Sequence, residues 1–414
     1  MNAKSIEKRL SYLKNNIQGS VSTSLNHIRR NDVILVGAWM GTKFADNSRY
    51  LYQYLFQNRK KLGLKKVIWV TGNSKVNKEL NNLGYKSCVI GSEESNYWHS
   101  RAGVHIICNQ MDAIPGFIPD IDTKLSFGAK KVNLWHGVGG IKAVGNASND
   151  NKASAAARGS IYSAVLNSSF YKYWMSPGGW SNQYVLATGK GPSKAMLAYM
   201  GCSPDRIFIS GYPRNCECLK YLPEEEAFIE KLKSYFGSIL YLPTFRSDDS
   251  AYIHPLKDER IRSFLKEKNI LWIEKPHTAD VKGDAVVAED TNICNLDPSF
   301  DINTIYDKVS CVMTDYSSVA FDAVYHRKPL IMYCPDIDKF RHGDVGFLID
   351  FEGYFRDELC EELDSTYLLI QNIFEDPDTF LTERKDSYWK INEYAFDNKS
   401  YTYEEIWRDI CALK

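Results

Sequence analysis

From Asp32 onward the chain alternates short apolar or β-branched runs with polar, helix-compatible stretches. The early runs are Val33–Val36, Val67–Val70, Cys88–Ile90, Val104–Cys108 and Lys131–Trp135, with helical patterns over Ser48–Lys61 and Lys75–Asn82. Strands that alternate with helices predict a parallel, doubly wound sheet. A helical and loop-rich region follows over about 147–205, broken by Gly178, Gly179 and Gly189. A second alternating series starts near Arg206. Its strand candidates are Ile207–Ser210, Ile239–Leu242, Ile270–Ile273, Ala285–Ala288, Cys311–Thr314 and Leu330–Tyr333, and its helix candidates are 223–236, 258–268, 301–308 and 317–326. The expected organisation is a helical lead-in over 1–30, an α/β domain over 31–205, a second over 206–385 and a helical segment over 386–414. Two consecutive α/β halves predict twin Rossmann-like domains facing one central cleft. Ligands then bind outside the carboxyl ends of the strands.

Composition narrows the function classes. The 414 residues exceed one comfortable core, and 44% hydrophobic with 25% charged residues is a globular profile. Lys plus Arg and Asp plus Glu are equal at 51 each, which argues against a nucleic-acid binder. The ten cysteines are scattered. Cys108, Cys311 and Cys334 sit in apolar runs, and the lone Cys216-x-Cys218 pair is a poor zinc site. No leader pattern is visible, so a cytosolic compartment with free thiols is expected. The apolar runs fall short of the ~20 residues of a spanning helix. Any membrane contact is therefore expected to be peripheral, with residues 1–30, rich in Lys and Arg, as one candidate.

Five strand ends carry chemistry. Thr314-Asp315-Tyr316-Ser317-Ser318-Val319-Ala320-Phe321-Asp322 follows an apolar strand and opens a helix. Ser317 and Ser318 either cap that helix or hold a phosphate at its N–H groups. Trp135-His136-Gly137-Val138-Gly139-Gly140 delivers a histidine onto a glycine turn, where it is either structural or a general base. Gly137 and its neighbours allow close approach of a ligand to the backbone. Lys275-Pro276-His277 ends another strand with groups able to neutralise a diphosphate. Thr244-Phe245-Arg246 supplies a hydroxyl and a guanidinium, whose fixed donor fork suits phosphate. Tyr212-Pro213-Arg214-Asn215 forms a turn at the expected domain junction. Each alone reads equally as turn chemistry or surface charge.

Taken in order, WHGVGGIK, SGYPRN, LYLPTFR, EKPH and TDYSSVAFD resemble the CDP-glycerol glycerophosphotransferase family. That family includes teichoic acid primases and polymerases and relatives in capsule synthesis. Gly41-Thr42-Lys43-Phe44-Ala45-Asp46-Asn47-Ser48-Arg49-Tyr50-Leu51-Tyr52 is similar to its aromatic-x-DN-x-x-YLY signature. The resemblance runs from about residue 33 to about 355 and implies a GT-B fold. It implies that His136 is the catalytic base and His277 a second essential histidine at the donor diphosphate. Ser317 and Ser318 match the hydroxyls that hold donor phosphates, with Arg246, Lys275 and Thr244 beside them. Arg214, Asn215, Asp315, Asp322, Gly137, Asp46 and Asn47 are further candidates in the matching motifs. Asp322, one turn along the helix, reads also as structural. One departure concerns the loop expected to face the acceptor. Relatives commonly read W-H-G-T-P-x-K, whereas here one more residue precedes Lys142. The long extensions of some polymerases are not in this sequence.

The implied reaction is attack of an acceptor hydroxyl on the β-phosphorus of CDP-glycerol, with CMP leaving. The acceptor is expected to be a lipid-linked or polysaccharide polymer end at the inner face of the cell membrane. No cofactor and no metal are expected, since no D-x-D pair is well placed and Asp248-Asp249 reads as turn chemistry. Three alternatives stand beside it. CDP-ribitol shares the CDP moiety and these motifs do not separate it from CDP-glycerol. A GT-B enzyme using a nucleotide sugar has the same architecture. A catalytically silent docking module is the third, but it has no use for both His136 and His277.

Overall fold

The computed structural model describes the chain apart from residues 1–2, 27, 110–118, 144–167, 169, 171–173, 176, 180–181, 201, 245–251, 276–291 and 343–345. A long helix, α1 (Ala3–Asn26), leads in. The first unit then builds β1 (Arg30–Val36), α2 (Asp46–Asn58), β2 (Lys66–Thr71), β3 (Ser87–Val89), β4 (Ala102–Ile107), β5 (Lys130–Asn133), β6 (Gln183–Ala187) and β7 (Ile207–Ile209). These strands lie in the order β3-β2-β1-β4-β5-β6-β7, the order expected of a doubly wound sheet. The second unit carries β8 (Gly237–Leu242), β9 (Ile270–Glu274), β10 (Ile293–Asn295), β11 (Cys311–Thr314), β12 (Leu330–Tyr333) and β13 (Leu359–Cys360), ordered β10-β9-β8-β11-β12-β13. Every strand pairing in both sheets is parallel. Parallel sheets are covered on both faces, so their central strands are apolar at consecutive positions. Val33 to Val36 and Ile270 to Ile273 are wholly buried for that reason. The two units face a shared cleft, the GT-B arrangement expected from the sequence.

Several boundaries differ from expectation. The strand at Ile207 was assigned to the second half, but it pairs with β6 as the edge of the first sheet. The crossover therefore follows residue 209 rather than 205. Which sheet a short run joins depends on distant partners, and periodicity carries no such information. The helix expected over 301–308 is only a single 3-10 turn at Ile302–Thr304. Strands β6, β10 and β13 were not anticipated, because their runs are short or polar. Ala285–Ala288 lies outside the described residues.

The helices Lys385–Phe396 and Tyr403–Ala412 return from the second unit to the first. Thr188 Oγ1 donates to the Ala395 carbonyl at 2.6 Å, and Ser210 Oγ donates to Asp409 at 2.8 Å. The loop after β5 also crosses the cleft. Ala143 N–H donates to Gly346 and Leu348 N–H donates to Ile141, at 3.1 and 2.9 Å. These contacts hold the facing strand ends at fixed separation, and the site is built there.

Candidate active site

His136 follows β5 on a turn whose backbone is unusual. Trp135 adopts φ +56°, in the left-handed region that non-glycine residues seldom enter. Such strain persists only where the surroundings hold it. Here the Asn133 side chain accepts from Trp135 N–H at 2.9 Å, and Asn47 Nδ2 donates to the Trp135 carbonyl at 2.8 Å. The imidazole is packed between Trp135 and Trp39, with ring centroids at 4.3 and 5.3 Å. Its Nδ1 lies 3.2 Å from the Cys108 carbonyl. A carbonyl only accepts, so Nδ1 carries the proton and Nε2 keeps the lone pair. Burial pushes the His136 pKa down, against the upward pull of Asp46 and the Cys108 carbonyl. The ring is neutral at pH 7, as a general base must be.

Arg214 explains how that turn is fixed. Its guanidinium is buried and touches both units. It donates to Asp46 at 2.8 Å, to the His136 carbonyl at 2.6 Å and to both oxygens of Asp322 at 2.9 and 3.1 Å. Burial works against its charge, but Asp322 and Asp46 outweigh it and raise the pKa. Burial raises the Asp322 carboxyl pKa, and Arg214 opposes that shift. Beneath this web Arg49 pairs with Glu225 through two hydrogen bonds and reaches Asp301 at 3.5 Å. Asp301 in turn accepts the Asp46 N–H at 2.9 Å.

The opposite wall comes from β8, β9, β11 and the helix Val319–Tyr325. Ser318 stands before that helix in a helical conformation, with no hydrogen bond from its side chain to the helix start. The capping alternative for Ser318 therefore fails. Ser317 Oγ meets the Val319 N–H only at 3.4 Å. A Cβ built on Gly137 would lie 2.6 Å from Ser318 Oγ, so the glycine lets the two walls touch. Lys275 Nζ donates to the Phe300 carbonyl, and its pKa is pushed down to about 8 by burial and by Lys43.

Between the walls lies a cavity of about 440 Å³. Of the predicted residues, His136, Gly137, Asp46, Arg214, Lys275, Ser317, Ser318 and Asp322 line it. Asn47 supports it from behind. Asp315 accepts the Thr244 N–H with both oxygens at 3.0 Å, tying the ends of β8 and β11 together beneath it. Thr244 Oγ1 accepts from Lys142 Nζ at 3.2 Å across the cleft. Asn215 does not reach the cavity but lines a small pocket with Tyr325 and Tyr401. His277 and Arg246 lie outside the described residues. Sequence reasoning missed Trp39, Tyr306 and Asn303, which also line the cavity and belong to no motif, and gave no role to Lys43, which lines it from the stretch that carries the signature. Tyr212, whose hydroxyl donates to the Gly137 carbonyl at 2.8 Å, was visible only as part of the arginine turn. Among the described residues no group of three His, Cys, Asp or Glu side chains could hold a metal ion.

Over residues 20–407 the chain matches the family described as CDP-Glycerol:Poly(glycerophosphate) glycerophosphotransferase. A teichoic acid poly(glycerol phosphate) polymerase of Bacillus spizizenii is 25% identical over 78% of this chain and 79% of its own length. A teichoic acid glycerol-phosphate transferase of Staphylococcus aureus is 24% identical over 46% of this chain and 51% of its own length. A teichoic acid poly(ribitol-phosphate) polymerase of B. spizizenii is 26% identical over 75% of this chain. This chain spans about half the length of the last two. Among solved structures, the wall teichoic acid polymerase TagF aligns with 99% of this chain and 97% of its own at a TM-score of 0.67 and 17% identity, a likeness of fold. The family match runs through both units and through every element that lines the cleft, and this chain belongs to the CDP-glycerol:poly(glycerophosphate) glycerophosphotransferase family.

Proposed function

We propose that the protein transfers glycerol phosphate from CDP-glycerol to a hydroxyl of a cell-surface polymer of the teichoic acid or capsule type. The observation that carries this reading is the close approach of the glycine turn after His136 to Ser318, with His136, Ser317 and Ser318 lining one cavity. An acceptor hydroxyl attacks the β-phosphorus while His136 Nε2 takes its proton. The new P–O bond forms as the bond to CMP breaks. Ser317, Ser318 and Lys275 hold the diphosphate, and His277 and Arg246 remain candidates for the same task. Such transfer depends on positioning and electrostatics, which protein groups can supply.

A second reading keeps the site and takes CDP-ribitol, since relatives named for ribitol phosphate stand beside those named for glycerol phosphate. Thermal shifts of the whole chain with each CDP-polyol separate the two, because a ligand stabilises according to its occupancy. Stabilisation by neither, with turnover of a UDP-sugar, would overturn both.

The acceptor is read as a lipid-linked or polysaccharide chain end, approached from the cytoplasmic face by peripheral contact. Among the described residues no helix is long and apolar enough to cross a membrane. Support for a surface contact comes from α1, which leaves three aliphatic side chains outward while small polar residues are buried. Asn16, Gly19, Ser20 and Thr23 face the protein, and Asn16 donates to the Met175 carbonyl at 2.9 Å. Leu10, Val21 and Leu25 face outward, Leu25 being 77% exposed.

A further inference from the structure

Four of the six carbonyls over residues 135–140 are held by donors from other elements, which fixes the direction of the amides that follow them. Asn47 Nδ2 holds the Trp135 carbonyl at 2.8 Å, and Arg214 Nη1 holds that of His136 at 2.6 Å. The Tyr212 hydroxyl holds Gly137 at 2.8 Å and the Tyr394 hydroxyl holds Gly139 at 3.3 Å. All four donors come from other elements. In a trans peptide the C=O of one residue and the N–H of the next point in opposite directions. The N–H groups of His136, Gly137, Val138 and Gly140 therefore point away from those donors.

All four residues line the cavity. Gly137, Val138 and Gly140 are buried. Among the described residues none of these four amides donates a hydrogen bond to protein. Buried N–H groups without partners are rare, and a row of them is costly unless a ligand or water accepts. Arg214 gives an independent sign. It also lines the cavity, and its buried Nε has no acceptor.

We infer that the amides of His136, Gly137, Val138 and Gly140 form an anion cradle for the phosphoryl group in transit. Successive N–H groups on one concave stretch of backbone bind anions well. The cradle is on the first unit, opposite Ser317 and Ser318, so the phosphoryl oxygens are gripped from both sides. Its donors are set before substrate arrives and do not reorganise as charge builds on those oxygens. Gly137 leaves room for Ser318 on the opposite wall, and Gly140 leaves room for the Tyr394 hydroxyl that turns its peptide. A Cβ on Gly140 would fall 1.9 Å from the Tyr394 hydroxyl, and its φ of +129° suits glycine alone. Asn47, Arg214, Tyr212 and Tyr394 are positioning residues, because they act by turning the peptides.

This inference rests on the donor reading above, and its test keeps the two apart. The full chain labelled with ¹⁵N-glycine and ¹³C-histidine reports two amides, Gly137 and Gly343, and a His342→Gln sample removes the second and so assigns the first. Saturating CDP-glycerol is expected to move that amide proton downfield, and CMP, which lacks the transferred phosphoryl group, is expected to move it far less. Replacing Val138 by its α-hydroxy acid removes one N–H and keeps the side chain. The expected loss is about 10²-fold in kcat, the scale for one such donor, with CMP affinity unchanged. An unmoved Gly137 amide in the donor-saturated protein would overturn the cradle. So would full kcat in the ester variant. If that variant fails to fold, the spectrum of the unaltered chain decides alone. No stabilisation of the unaltered chain by CDP-glycerol would instead overturn the donor assignment, and the cradle with it.

Discussion

Arg214, on the turn that follows the crossover between the units, and Asp322 meet through both carboxylate oxygens, at 2.9 and 3.1 Å, although 108 positions separate them. The same guanidinium holds Asp46 and the His136 carbonyl. One buried cation thus registers the turn of His136 against the helix that follows Ser317 and Ser318. Replacing it by methionine leaves two buried carboxylates without their partner. The expected cost is about 3–5 kcal/mol in urea unfolding, the scale for breaking a buried pair. Adding Asp322→Asn should recover part of that loss, and additive costs would show that the pair is not coupled.

The pH profile of turnover tests the base. Burial, offset in part by Asp46 and Cys108, holds His136 below its ordinary value of about 6.5. A base works only when neutral, so kcat/KM should fall on acidification through an inflection below 6.5 and stay level above it up to about pH 7, below the range where Lys275 titrates. His136→Ala should remove that inflection and lower turnover by about 10²–10⁴-fold, the usual range for such groups. An acid limb that survives unchanged in the alanine variant would assign the proton to another group.

Donor affinity should depend on the opposite wall. Changing Ser317 and Ser318 together to alanine is expected to weaken CDP-glycerol by about 1–3 kcal/mol, the order for hydrogen bonds to a charged group. Lys275 adds a pH dependence of the other sign. Its pKa of about 8 in the free protein means that the ammonium is lost above that pH, and with it an attraction for the diphosphate. Donor KM should therefore rise from pH 8 to 9, and Lys275→Met should flatten the rise.

Two buried cation-forming groups in the first sheet predict how stability follows pH. Burial first, then Arg29, His99 and Lys131, hold His105 well below its usual value. The unfolded chain takes up that proton below about pH 6.5, so stability is lost on acidification. Lys131 is pushed down to about 7 by burial, with Arg29 and Arg206 adding to it. Unfolding restores its ordinary value near 10.4, so its share of stability rises with pH between about 7 and 10, by at most about 1.4 kcal/mol per unit. Lys131→Met should raise the urea midpoint at pH 7 and flatten the alkaline limb. His105→Leu should flatten the acid limb.

The exposed row on α1 gives a prediction about surfaces. Leu10→Glu with Leu25→Glu should reduce sedimentation with vesicles containing anionic lipid. Turnover on a water-soluble acceptor should be unaffected, because neither side chain is near the cavity. Unchanged sedimentation would remove α1 from membrane contact.

The sequence by itself determined the elements and the local chemistry. The strand runs at Cys311–Thr314 and Leu330–Tyr333 carry their apolar pattern within a few residues, and both strands have those limits. The glycine turn of His136 and the serines after β11 were legible for the same reason, since strand ends and turns are written in neighbouring residues. Only tertiary structure decided which sheet Ile207–Ile209 joins, because an edge strand is chosen by partners far along the chain. It decided that Ser318 leaves the helix start uncapped, a matter of one backbone torsion. It also brought Asp46, Arg214 and Asp322 to one point, although 168 and 108 positions separate the arginine from its two partners. A charge pattern read locally assigns such residues to the surface. Burial in the cleft between the units is what turns them into the frame of the site, and no local pattern of residues encodes that burial.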